Sequence, residues 1–450
     1  MAILRANWIT LALYAVGVML VALAPVAHST RTLNGTTYSL SEAPVTAGFC
    51  DETKQLSGYF KLDGSKSKNY FYWFFESRGT PSTDPLIIWL TGGPGCSSTL
   101  ALLVENGPCS VNDDLTLKRN PFSWNERANI IYGDKSEYDT SEKEVGDDMF
   151  QFLQEFFAAH PEYQKQEFYV FGESYAGHYV PAIAHRVFTG NQNKEGLHIN
   201  LQGFGIGNGL TNPQVQYKYY PEMAYNNSYH VKAVSYPVYL AMKAAISPCI
   251  KMIEKCQTNK AACISAQAFC NAALVSPFSA SGLNVYDVRE ECKVFPLCYD
   301  FSHVEKFLRL KSTLEQLHVD KHSAKWESCN MEVHAGFAYD WMKNFHGLVV
   351  PMLENGIKGI VYAGDADFID KPWIIDGKKA GEVRTVDNFS FLRVFEAGHM
   401  VPLNQPKNSL EMVKAFTLSK SNDIWNTEAP VAETSDKPRV VEEEEIVSIM

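Results

Sequence analysis

Hydrophobic residues fall into two rhythms along the chain, and each predicts a different element. Short unbroken runs, "PLIIWL" (85–90), "ANIIY" (128–132), "EFYVFG" (167–172), "LQGFGIG" (201–207) and "GIVYAG" (359–364), lack the alternation of a half-solvated strand and read as strands buried on both faces. Between them apolar residues recur at helical spacing. Val145, Met149, Phe152, Leu153, Phe156 and Phe157 follow a Ser-x-x-Glu box of Ser141 and Glu144, and a second helix is predicted through "YVPAIAHRVF" (179–188). Buried strands alternating with helices predict an α/β fold with a mostly parallel central sheet covered on both faces. Aromatic and polar residues alternate on either side of Asp63-Gly64 in "LSGYFKLDGSKSKNYFYWFFES" (56–77), which predicts antiparallel strands joined by a turn.

The texture changes twice. Between Asn212 and Cys329 the sequence is rich in Lys, Ala and Cys at helical spacing, so residues 213–329 read as a helical cap inserted between two parts of the core, 48–212 and 330–418. Residues 427–450 lack periodicity, carry Glu442 to Glu445 and read as a disordered acidic tail. At the other end Arg5 precedes an apolar stretch from Trp8, with small residues at Ala24, Val26 and Ala27. This is the layout of a secretory signal peptide over residues 1–29, cleaved between Ala27 and Ser29, with a signal anchor as the alternative. Residues from there to about 47 read as an unstructured leader, and no other segment is expected to be long and apolar enough to span a membrane.

Composition narrows the function classes. The 450 residues are 46% hydrophobic, a globular profile, and 51 acidic against 40 basic residues give a formal charge of -11 that repels phosphate backbones, so nucleic acid is not an expected partner. Ten cysteines suit an oxidising compartment, and no His-plus-Cys spacing resembles a zinc module, so no metal or cofactor is expected. Cys249, Cys256, Cys263 and Cys270 recur every seven residues, which brings cysteines on successive turns to one helix face. Asn34, Asn226 and Asn388 head Asn-x-Ser/Thr sequons, glycosylation acceptors in a secreted chain.

The candidate chemistry lies in "FYVFGESYAG" (168–177), where a strand runs into a turn with Gly172 and Ala176 two residues either side of Ser174. A crowded strand-to-helix turn needs small neighbours, and here Ala176 stands where the general nucleophile-elbow pattern has Gly. Asp367 follows the strand-like "IVYAGDAD" and His399 sits in "AGHMVP", giving the chain order Ser, Asp, His of the α/β-hydrolase triad, with Asp365 as the alternative acid.

"WLTGGPGCSS" (89–98), "GESYAG" (172–177), "GNGLTNP" (207–213), "YAGDADF" (362–368) and "AGHMVP" (397–402) occur in the order found in the serine carboxypeptidase family, which the chain resembles from about Gly58 to Leu418. The resemblance implies an α/β-hydrolase fold that removes C-terminal residues from peptides and proteins at acidic pH. It implies an oxyanion hole from the amides of Gly93 and Tyr175, and a site for the substrate's terminal carboxylate formed by Trp89, Thr91, Gly92, Glu105 and Glu173. It further implies the pairs Cys249–Cys270, Cys256–Cys263, Cys292–Cys298 and Cys96–Cys329, which leaves Cys50 with Cys109. A secreted or vacuolar/lysosomal destination follows, without a stable membrane span after signal cleavage. Three departures stand out. Thr91 replaces the family's Asn, Tyr132 runs directly to Gly133-Asp134 without the family's cleft-lining segment, and Ile369 leads almost directly to Lys371-Pro372-Trp373 without a further helix. These shortenings keep open a catalytically impaired homologue, and the triad alone equally serves an acyltransferase.

Overall fold

The computed structural model describes residues 27–33, 36–63, 68–133, 139–295, 297–320, 325–365, 371–419 and 425. Residues 1–26 of the signal-peptide reading, the tail 427–450, the sequon residue Asn34 and the acid Asp367 lie outside the described residues. Twelve strands form one sheet: β1 (Ala27–Leu33), β2 (Thr36–Pro44), β3 (Gln55–Asp63), β4 (Lys68–Phe75), β5 (Leu86–Thr91), β6 (Asn129–Gly133), β7 (Phe168–Glu173), β8 (Leu201–Gly207), β9 (Lys358–Gly364), β10 (Lys371–Ile375), β11 (Lys378–Val386) and β12 (Phe389–Val394). Their spatial order is β1-β2-β3-β4-β6-β5-β7-β8-β9-β12-β11-β10.

The centre, β6-β5-β7-β8-β9-β12, is parallel throughout. That is the expected parallel central sheet, and antiparallel strands extend it on both sides, so the sheet as a whole is mixed. The expected unstructured leader is corrected. Residues 27–33 and 36–44 pair as β1 and β2, whose alternating Thr, Ser and apolar positions suit strands covered on one face only.

Along β5 the alternation of side chains places Ile88 and Leu90 in one core layer and Ile87 and Trp89 in the other, which is why the run is apolar at every position. The first layer is closed by α2 (Glu142–Ala159) and α3 (Ala176–Asn193), and the whole apolar stripe from Val145 to Phe157 is buried there. At the start of α2, Glu144 accepts from the Thr140 amide at 2.9 Å, one residue before the expected box partner Ser141. The second layer is closed by α1 (Ser98–Val104) and the C-terminal helix Pro406–Leu418.

The cap has a core of its own. Helices α4 (Tyr236–Thr258) and α5 (Lys260–Cys270) form a hairpin tied by Cys249–Cys270 and Cys256–Cys263, with Ile253, Ala266 and Leu274 buried between them. The stretch Lys260–Ser279 is, by length and composition, apolar enough to cross a membrane, which corrects the expectation that no segment beyond the N-terminus is. Its low charge follows from the Ala- and Cys-rich face packed on α4, and two of its cysteines are bridged to that helix. The remaining bridges are Cys50–Cys109, Cys96–Cys329 and Cys292–Cys298.

Candidate active site

Because the six central strands run in one direction, the residues after β5, β7, β8, β9 and β12 gather along a single edge of the sheet, where α/β folds form their clefts. Ser174 follows β7, a strand buried at all six positions, and holds φ = +66°, in the left-handed region. An L-residue held there costs about 1–3 kcal/mol and persists only where its surroundings over-determine it. They do so here. The Ser174 amide donates to Gly207 O at 2.9 Å, and its carbonyl accepts from the amides of Gly177 and Leu210, both at 3.0 Å. The small neighbours have a measurable reason: a Cβ on Gly172 would lie 2.5 Å from Leu90 O and 2.6 Å from the Ala176 Cβ. The methyl group of Ala176 is accommodated because Gly172 opposite it has none.

The glycine turn after β5 presses on this elbow. A Cβ on Gly92 would sit 2.3 Å from the Tyr175 amide nitrogen and 2.9 Å from the Ser174 Cβ. Gly93 comes next at φ = +111° and packs on Cys96, whose bridge to Cys329 fastens the turn to the far end of the insertion. Tyr175 begins α3, where a helix leaves its first amides without internal partners, and its ring is locked between His178 and Trp341 at centroid distances of 4.4 and 5.2 Å.

Glu105, just past the end of α1, and Glu173, the last residue of β7, are 5% and 2% exposed and hydrogen-bond each other. Two acceptor-only carboxylates cannot do this, so the pair shares a proton. Burial pushes Glu105 up to about 7, and Glu173 is raised well above the carboxylate range by burial and then by the Glu105 charge. Oε2 of each takes no further partner among the described residues. Trp89 Nε1 donates to Thr91 Oγ1 at 3.2 Å, which leaves the threonine O–H as a donor in place of the absent asparagine amide.

His399 follows β12. Its amide donates to Tyr286 O at 2.7 Å, its ring packs on the Tyr286 ring at 5.0 Å, and burial pulls the imidazole down to about 4. Among the described residues His399 Nε2 is buried without a hydrogen-bond partner, so no bond joins it to Ser174 Oγ in this conformation. Asp365, directly after β9, accepts from Ser228 Oγ through its carbonyl at 3.3 Å, while Asp367 lies outside the described residues.

Two contributors escaped the sequence reading. Asn208, held at φ = +42° after β8, donates its amide to Tyr362 O at 2.8 Å and accepts from Gly364 N at 3.3 Å, stitching the start of the acid loop to the neighbouring strand. The Asn-Gly of "GNGLTNP" was the available signal. Tyr286 comes from a cap hairpin distant in sequence and had none.

The sequence model of the family described as "Serine carboxypeptidase" matches residues 46–373 and 370–419. The chain belongs to the serine carboxypeptidase family. The two matched stretches overlap at residues 370–373, beside the point where the sequence reading places a shortening after Ile369. Serine carboxypeptidase 3 of Oryza sativa subsp. japonica is 40% identical over 83% of this chain and 81% of its own length. Carboxypeptidase Y of Komagataella phaffii is 38% identical over 81% and 76%. Among solved structures, a prohormone-processing carboxypeptidase from Saccharomyces cerevisiae, KEX1(delta)p, superposes with a TM-score of 0.72 at 25% identity, covering 81% of this chain and 91% of that one. The elbow, the glycine turn and the carboxyl pair of this serine carboxypeptidase all lie within the first matched stretch, and His399 lies within the second.

Proposed function

We propose that this serine carboxypeptidase removes the C-terminal residue of peptides and proteins through an acyl-enzyme on Ser174. The observation that carries this reading is the buried, proton-sharing pair Glu105 and Glu173 beside the elbow. A protonated carboxyl donates to a substrate carboxylate without bringing a second negative charge to it. Trp89, Thr91 and Gly92 complete that site. His399 takes the proton of Ser174 as Oγ attacks the scissile carbonyl, the amides of Gly93 and Tyr175 receive the oxyanion, and His399 returns the proton to the leaving amine. Asp367 holds the imidazole, with Asp365 as the alternative acid. Water then repeats the sequence on the acyl-enzyme.

The pH window follows from the two shifted groups. Above about 4 the His399 ring is neutral and able to accept a proton, and as pH rises through about 7 Glu105 ionises and gives the pair a negative charge that repels the substrate carboxylate. Catalysis is therefore acidic. Matched peptides ending in a free acid or an amide test this: kcat/KM for the acid form should fall through about pH 7 while the amide form, poorer at low pH, changes much less. Identical profiles would remove the exopeptidase assignment.

Entry into the secretory pathway, towards an extracellular or vacuolar destination, is supported by five disulfides that use all ten cysteines. Asn226 is exposed at the end of a short helix and open to a glycan, whereas the Asn388 amide already donates to Leu353 O and Ile357 O, both at 2.9 Å. A second reading, an impaired homologue, is favoured by one observation, the missing bond from His399 Nε2. Capture of a fluorophosphonate by Ser174 separates the two: no capture at pH 5–7, in the range about 4 to about 7 set by the two groups, supports the impaired form.

A further inference from the structure

The loop that carries His399 is held from outside the sheet. Its amide is bonded to Tyr286 O at 2.7 Å, its ring lies on the Tyr286 ring, and a Cβ on Gly398 would meet Tyr286 O at 2.7 Å and Asp287 Oδ2 at 2.9 Å. Tyr286 stands in the tight turn of a short hairpin, Leu283–Asn284 with Asp287–Glu291, and so has little stiffness of its own. What stiffens it is the next residue pair. Asp287 accepts from Arg289 three times, from the amide at 3.0 Å, from Nε at 2.8 Å and from Nη2 at 2.6 Å, with side chains 6% and 28% exposed. The bridge Cys292–Cys298 begins immediately after the strand, and the Cys292 amide returns to Gly282 O at 2.9 Å.

The same arginine reaches towards the acid. Its guanidinium lies 5.3 Å from the ring centre of Tyr229, whose phenol is raised in pKa first by burial and then by the neighbouring Asp365. Next to Tyr229, Ser228 Oγ donates to Asp365 O. One ion pair thus spans, through a single residue on each side, the loop of the base and the loop of the acid.

We infer that Asp287 and Arg289 form a positioning pair that sets His399 against Ser174 by fixing the Tyr286 carbonyl and ring. The inference rests on His399 being the base. The pair touches no reacting atom, so its loss acts on the chemical step and leaves binding of the substrate carboxylate alone. A bidentate fork on a buried carboxylate is a geometric device that lysine cannot reproduce. Displacement of a catalytic group by about 1 Å costs on the order of a hundredfold in rate.

The test compares Arg289→Gln, Arg289→Lys, Tyr286→Phe and His399→Ala in the full-length secreted protein. It reads kcat and KM on a blocked dipeptide, the rate of Ser174 capture by a fluorophosphonate, and thermal unfolding. Arg289→Gln should lower kcat and the capture rate together, by about tenfold to a hundredfold, with KM within about twofold. Arg289→Lys should show a smaller loss of the same kind. Tyr286→Phe, which keeps the carbonyl and the ring, should lose less than Arg289→Gln, and an equal loss would assign the effect to the phenol and overturn the role of the pair. If Arg289→Gln fails to fold, Arg289→Lys carries the decision, and a kcat and capture rate equal to wild type in a folded Arg289 variant overturns the positioning role. His399→Ala keeps the two readings apart: if it captures the probe at the wild-type rate, the assignment of the base fails. If it abolishes capture while both Arg289 variants are unaffected, only the positioning pair fails.

Discussion

Ser174 and His399 stand along the same edge of one sheet and are held there by contacts of opposite kinds. The serine is fixed from within the core: its amide and carbonyl are bonded to Gly207, Gly177 and Leu210, and Gly172 and Gly92 leave no room for a single added carbon. The histidine is fixed from without, by the carbonyl and ring of Tyr286 on a cap hairpin. Core backbone has nowhere to move, whereas a hairpin on a disulfide-linked insertion can shift as a unit. The proposed nucleophile is therefore the fixed point of this site and the proposed base is the adjustable one. That His399 Nε2 lacks its bond while the elbow is complete agrees with this division.

Four substitutions break or sharpen the contrast. Ser174→Ala removes the proposed nucleophile itself and should reduce turnover by about a millionfold while leaving the unfolding temperature near wild type, as measured by peptide hydrolysis and calorimetry. Gly92→Ala drives a methyl group to 2.3 Å from the Tyr175 amide. On the rigid side it should cost about a hundredfold or more in kcat and about 1–3 kcal/mol of stability, read from steady-state kinetics and urea unfolding. The matching change on the yielding side, Gly398→Ala, places its methyl 2.7 Å from Tyr286 O. Because the hairpin can retreat, we expect a loss of about tenfold by the same assays, and equal losses in the two variants would abolish the distinction. Smallest is Glu105→Gln, which replaces the acid that ionises near 7 with a donor that does not titrate. The decline of kcat/KM for free-acid peptides through about 7 should flatten, with amide peptides unchanged, in a pH series on both substrates.

How much of this was legible in the sequence follows from the same division. Everything about the elbow is local: a buried strand, two small residues at fixed offsets and a helix stripe lie within a few turns of chain, so pattern and turn chemistry sufficed. The carboxyl pair needed the family's resemblance, since Glu105 in "VENGP" has no local signature. The hold on His399 could not be read, because Tyr286 and His399 meet only through the tertiary fold. The missed strands are of another kind. β1, β2, β10 and β11 lie at the two margins of the sheet, where half-solvated strands carry many Thr, Ser and Lys and so lack the apolar runs used to find the central ones. A hairpin signal was nonetheless present in Asp376-Gly377, which adopt φ = +49° and +71° between β10 and β11, and Asn34-Gly35 separates β1 from β2.

The order of strands also sets a clock for each half of the site. β7, which delivers Ser174, has six strands on one side and five, β8, β9, β12, β11 and β10, on the other, whereas β12 has only β11 and β10 beyond it. Amides in β7 should exchange with deuterium only through global opening, while those in β10 and β11 exchange through fraying of the margin, with β12 between the two limits. In a protease-rich compartment that gradient decides which end is lost first. A molecule nicked between β10 and β11 would keep its serine correctly turned long after its histidine had drifted, and would persist as a folded protein that no longer turns over substrate.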